Sequence, residues 1–328
     1  MIRQDVVRDY ADLTRLGGVW LTYPWLHSKI AFIPKTSRYR RRYHIALMPK
    51  KPIDKTPPLN FDSMRATMER ALRSIAGKGG RGKEDRAQEL VYQAMETRGI
   101  EPYMRLLQEA LELDPGNVDA LLMMTSAVGA KGEERIEMLR GIVDTGAKRL
   151  GKQAFKEFVP HFWGFIETRP YMRARERLAD ALRASGRIAE AVKEYEEMLV
   201  LNENDNQGIR YILLPGLLAL GRLDEARALM KRFGEEEWNV VFAWCRVLER
   251  RLAHDDAGAA KALTVARKQN PHMEIYLKGH RKLPKNMPDS YSPGSKEEAL
   301  CFGEPLLMAW QQHHEALGWL VMQKPGLN

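Results

Sequence analysis

From about residue 84 onward apolar residues fall at helical spacing, and turn residues interrupt them at regular intervals. Leu178, Ala179, Leu182 and Ala184 form one apolar face, and Ala191, Val192, Tyr195, Met198 and Leu199 form the next. Between them lies Gly186-Arg187-Ile188-Ala189-Glu190-Ala191, which recurs 35 positions later as Gly221-Arg222-Leu223-Asp224-Glu225-Ala226. The glycine ends one helix and the acidic residue with its alanine opens the next, so each unit is a pair of helices around a tight turn. An earlier unit pairs Leu90, Val91 and Ala94 with Leu106, Leu107, Ala110 and Leu113, and closes in Asp114-Pro115-Gly116-Asn117. A degenerate one sets Met123, Met124 and Ala127 against Ile136, Leu139 and Ile142, and the last carries Ala259, Leu263 and Ala266 before Asn270-Pro271.

This pattern resembles the tetratricopeptide repeat, in which a small residue early in the second helix lets antiparallel helices approach and each pair stacks on the next. Ala191 and Ala226 match the small residues, and Tyr195 and Met230 match the larger packing residues four positions on. The match departs from the repeat at Glu203 and Trp238, where a closing Pro is usual, and at Arg175 and Arg210, where a Trp often opens the first helix. From Glu167 the chain also resembles the C-terminal part of the suppressor of tumorigenicity 7 family and its bacterial repeat relatives. The matching residues are Thr168-Arg169-Pro170-Tyr171-Met172-Arg173, Asn270-Pro271-His272, Tyr276-Leu277, Leu283-Pro284, Gly294, Glu297-Glu298-Ala299, Trp310 and Glu315-Ala316-Leu317-Gly318-Trp319-Leu320. Animal members of that family are similar to membrane proteins with N-terminal spans. Here Leu13 to Ile33 is broken by Arg15, Pro24, His27 and Lys29 and is too polar to cross a bilayer.

The resemblance implies an all-α fold: a right-handed α-solenoid of repeat-like helix-turn-helix units, with a helical C-terminal cap and a basic, poorly structured N-terminal arm. Residues 1–60 form the arm and a Pro-rich linker containing Pro49, Pro52, Pro57 and Pro58. The array is expected over 61–275, in units near 84–117, 118–150, 172–206, 207–239 and 240–273. A Pro-containing loop and capping helices follow over 276–328. Phe155, Phe158, Val159, Phe162, Trp163 and Ile166 follow helical spacing and predict a bridging core helix, kinked at Pro160.

Composition adds that the chain, 328 residues and 44% hydrophobic, can bury a large core, and that its charge is segregated. Residues 1–58 hold 12 Lys and Arg against 4 Asp and Glu, a net of +8, whereas 87–328 are slightly acidic. Within the arm, Arg38, Arg40, Arg41, Arg42 and Tyr43 interleave cations with an aromatic ring, a pattern able to contact phosphate and stack on bases. Nucleic acid is therefore the alternative partner. A solvated charge run and a translation start at Met48 are two further readings of the same segment.

Chemical motifs fail on inspection. Gly77-Lys78-Gly79-Gly80-Arg81-Gly82-Lys83 fits part of a phosphate loop, yet Glu84 stands where Ser or Thr must hold magnesium, and a helix precedes it where a strand is required. His313 and His314 are adjacent and point to different sides of a helix, so no metal or cofactor is expected. Cys245 and Cys301 show neither a disulfide framework nor a nearby His, which places the expected protein in a reducing, cytoplasmic compartment without catalytic residues. Glu235 to Glu237 and Asp255-Asp256 read as charged loops.

The expected function is a scaffold or adaptor holding a protein or peptide in the concave groove lined by first helices. Candidate groove residues are Arg169, Arg173, Glu176, Asp180, Asn206, Arg210 and Tyr211. Glu176 and Asp180 occupy the positions where chaperone-binding relatives carry a carboxylate clamp, which disfavours a chaperone tail. Arg and Tyr together suit a peptide with an acidic residue. On the alternative reading, Asn204, Asp205 and Asn206 cap the next helix, and Arg169 and Arg173 pair with Glu167 and Glu176.

Overall fold

The computed structural model describes residues 61–77, 82–233 and 239–324. The arm residues Arg38, Arg40, Arg41, Arg42 and Tyr43, most of the Gly/Lys run at 77–83, Glu235 to Glu237 and Trp238 lie outside them. The described residues are all-helical, without a strand, and form two compact units, 61–209 and 210–324. That division falls inside the span expected as one array and groups the expected cap with the helices from 210 onward.

In the first unit, α1 (Phe61–Ile75) precedes three helix pairs: α2 (Lys83–Glu96) with α3 (Ile100–Leu113), α4 (Val118–Val128) with α5 (Gly132–Glu157), and α6 (Arg169–Ala184) with α7 (Ile188–Leu201). First helices touch in succession, α2 against α4 and α4 against α6, while α3 meets α4 and α5 meets α6. The core is the meeting of small and large residues the repeat pattern demands: Val91 and Ala94 with Leu107 and Ala110, Leu178 and Leu182 with Ala191 and Tyr195. Gly186 has φ 77° and Gly221 φ 69°, a left-handed turn that a side chain would strain, which is why both hexapeptides begin with glycine. Arg175 joins α6 to α7 through Glu194 at 2.6 Å and through Glu197.

The expected bridging helix is not continuous. Helix α5 ends at Glu157, and the chain then turns through a short 3-10 segment (Phe162–Gly164) before α6. Pro160 has no N–H for a helical ladder, and the rings satisfy each other in the turn instead. Phe158 stacks on Phe165 at 4.0 Å, and Phe155 packs on Phe162 at 5.1 Å.

The second unit contains α8 (Arg210–Ala219), α9 (Leu223–Phe233), α10 (Val240–Leu252), α11 (Asp256–Gln269), the single turn α12 (Glu274–Leu277), and the terminal α13 (Lys296–Cys301), α14 (Gly303–Gln311) and α15 (His314–Met322). Again the first helices α8 and α10 touch, and α14 packs on both. Leu306, Ala309 and Trp310 of α14 are fully buried, and Trp310 meets Trp244 edge-on at 6.5 Å. Glu298 in α13 ties this packing together. Its carboxylate accepts from the backbone N–H of Gly294 and the side-chain amide of Asn270, both at 2.8 Å, and from the Val240 N–H at 3.3 Å. Burial outweighs these bonds and holds the Glu298 carboxyl above its ordinary range.

No helix among the described residues is long and apolar enough to cross a membrane.

Candidate functional site

The first helices of the first unit converge on a row of buried polar groups. Asn117 opens α4 by accepting from the Ala120 N–H at 3.0 Å, and its amide donates to Gln88 of α2 at 3.2 Å. Gln88 in turn donates to Asp119 at 3.4 Å. Arg173 of α6 then grips Asp119 with two bonds, Nε to Oδ1 at 2.9 Å and Nη2 to Oδ2 at 2.7 Å. Planar, two-pronged pairing of this kind fixes the guanidinium in orientation as well as place. Its remaining prong, Nη1, donates to Glu69 of α1 at 2.7 Å, and Tyr92 of α2 donates its hydroxyl to the other Glu69 oxygen at 3.3 Å.

The Arg173, Asp119 and Glu69 side chains are 8%, 2% and 3% exposed, so the charges stand only because they are paired. Burial alone would raise the Asp119 carboxyl, but the guanidinium beside it wins and holds it below its ordinary range. Next to this row opens a cavity of about 430 Å³, with Glu69, Asp85, Gln88, Tyr92, Asp119, Arg149, Glu167 and Tyr171 in its wall. In that wall Arg73 pairs with Asp85 at 2.5 Å, and Arg149 reaches Glu84 at 3.0 Å and Asp114 at 2.8 Å. The wall carries more carboxylates than guanidiniums.

The residues expected in a groove take different places. Arg173 is the centre of the polar row. Arg169 is buried, donates Nε to the Trp163 carbonyl at 2.9 Å and lies over the Trp163 ring, so it fastens the turn before α6. Asp180 accepts from the buried Tyr195 hydroxyl at 2.7 Å, linking α6 to α7. Glu176 accepts from the Gln207 amide at 2.7 Å; burial, reinforced by the charge of Asp180, pushes its carboxyl up to about 7. Asn206 is exposed in the turn after α7 and accepts from the Asn202 amide at 3.2 Å, while Asp205 secures that turn by accepting from the Ile209 N–H at 2.6 Å. In the second unit, the Arg210 guanidinium sits 4.4 Å from the centre of the Tyr211 ring, which packs edge-on against Phe242 at 6.0 Å and against Phe302 at 5.4 Å.

Glu69, Gln88, Tyr92, Asn117 and Asp119 were not legible as site residues. Asn117 and Asp119 follow the Pro115-Gly116 turn and read only as a helix start, and Glu69 is one acid on a helix far away in sequence.

Among the described residues no group of three His, Cys, Asp or Glu is disposed to hold a metal. Burial keeps the Cys245 thiol well above its ordinary range, and burial with Glu297 and Glu298 pushes Cys301 up to about 11, so both stay protonated at neutral pH.

Comparison with family models, with curated proteins and with solved structures finds no match to this chain.

Proposed function

We propose that this chain is a non-catalytic, cytoplasmic scaffold of the tetratricopeptide type, an α-solenoid that binds a protein or peptide partner along the first helices of its pairs. The observation that supports this most directly is the succession α2, α4, α6. Each first helix touches the next, and their polar side chains meet beside a cavity of about 430 Å³. Helix pairs stacked in this way present a continuous face built from one helix per pair, which suits an extended or helical peptide better than a small molecule. The resemblance of the chain from Glu167 onward to the suppressor of tumorigenicity 7 family belongs to the same reading.

Full-length protein immobilised on resin tests it, with lysate treated with nuclease or left untreated. A partner identified there is then purified and titrated against wild type and an Arg149→Glu, Glu167→Lys double variant whose helicity is unchanged. Loss of affinity by about tenfold or more is expected when wall charges are reversed. Equal affinity removes this face from consideration, and capture that vanishes with nuclease moves the Arg-rich arm to first place.

A further inference from the structure

Arg173 holds two carboxylates from two different helices. Asp119 takes two of its prongs and fixes the plane, while Gln88 steadies Asp119 from behind, so Nη1 is aimed with little freedom left to lose. What Nη1 meets is a glutamate on a helix that joins the pairs by unusual means. Among the described side chains of α1, Ala66 is the one apolar group fully buried. Leu72 is half-buried and Arg65 reaches the Met95 sulfur, while the charged attachments are Glu69 to Arg173 and Tyr92, Arg70 to Glu89 and Glu96, and Arg73 to Asp85. Met64, Met68, Ala71 and Ile75 recur at i, i+4, i+7 and i+11 on the opposite side and are exposed, Ile75 at 78%. A helix that turns its apolar stripe outward and its charged side inward is docked as a peptide ligand would be, by complementary charge with little apolar surface removed from water.

We infer that α1 is an internal ligand of this face, and that the site takes a carboxylate-bearing helical peptide whose acidic side chain replaces Glu69 between Arg173 Nη1 and the Tyr92 hydroxyl. The inference rests on the scaffold reading and deepens it by naming the ligand class. When α1 leaves, Arg173 keeps Asp119, so no lone charge is stranded. The incoming carboxylate finds the guanidinium already oriented.

The test titrates full-length wild type and full-length Glu69→Lys with a fluorescent peptide of residues 61–75, and with the same peptide carrying Glu69→Gln. The Glu69→Lys protein is expected to bind the native peptide at least about tenfold more tightly than wild type, and the Gln peptide at least about tenfold more weakly than the native one. Hydrogen exchange is expected to rise across Phe61–Ile75 in the variant while α4 and α6 stay protected. Equal peptide affinity for the two proteins, or unchanged exchange in α1, makes Glu69 a fixed structural residue and overturns the inference. If Glu69→Lys does not fold, the isosteric Glu69→Gln protein is read by the same two measurements. A purified partner that needs the Arg149 and Glu167 wall yet binds wild type and Glu69→Lys alike overturns the internal ligand and leaves the scaffold standing. Native peptide binding with no external partner that competes for it retains the internal ligand and removes the scaffold.

Discussion

Helix α14 sinks Leu306, Ala309 and Trp310 completely into the second unit against α8 and α10, whereas α1 meets the first unit with one buried alanine, one buried glutamate and a fringe of arginines. Each lies against first helices of its own unit, but the forces differ. Apolar burial is insensitive to salt and lost only by opening the core. The partly exposed pairs of Arg70 and Arg73 at the rim of α1 are screened and individually weak, whereas the buried Glu69–Arg173 bond needs a carboxylate in that place. The first arrangement suits a permanent cover, and the second suits the occupant we propose α1 to be.

The largest test of this contrast is Trp310→Ala. Loss of a fully buried indole and of its contact with Trp244 is expected to lower stability by about 4 kcal/mol in denaturant unfolding. A loss below about 1 kcal/mol would mean α14 is no better anchored than α1. Arg173→Met should come next. It leaves Glu69 and Asp119 buried and facing each other unpaired, at a cost of about 3 kcal/mol. The contrast sharpens if Glu69→Gln, which leaves the Arg173–Asp119 pair intact, costs only about 1 kcal/mol. A Glu69→Gln loss equal to that of Arg173→Met would make α1 part of the core.

A pH-dependent contribution belongs to the first unit. The folded chain holds the Glu176 proton up to about 7, above the carboxyl's ordinary value, so its stabilising contribution is fully present in acid and is lost as pH rises through that value. Unfolding at pH 5 and pH 8 should show wild type losing stability at no more than about 1.4 kcal/mol per pH unit from this residue, with the slope reduced in Glu176→Gln. Equal slopes would place the carboxyl back in its ordinary range. The smallest expected effect is Met68→Glu on the outer face of α1, within about 0.5 kcal/mol of wild type. A larger loss would show that something covers that face.

The helix pairs were legible because their signals are local. Gly186 and Gly221 mark turns, Ala191 and Ala226 are buried small residues, and Asn117 and Asn270 stand at helix ends, whereas Asp255, expected in a charged loop with Asp256, caps α11 by accepting from the Gly258 N–H. The aromatic run from Phe155 to Ile166 misled, since ring spacing imitates a helix even where Pro160 withholds the ladder and the rings pack on one another in a turn. Helical phase assigns Arg173 to one face of α6 but is silent about what lies across from it. Phase likewise put Tyr211 on a first helix without showing that Phe302 packs against it.

By itself the sequence determined helix, turn and pairing, because these depend on residues within about 35 positions of one another and on glycine, proline and small side chains whose effects are steric. Only the tertiary structure decided that Arg173 would meet Glu69, 104 residues away, with Asp119 between them on a third helix. Charge on a helix face is compatible with solvent, a ligand or a buried partner, and which one it meets is set by the packing of elements that share no local pattern.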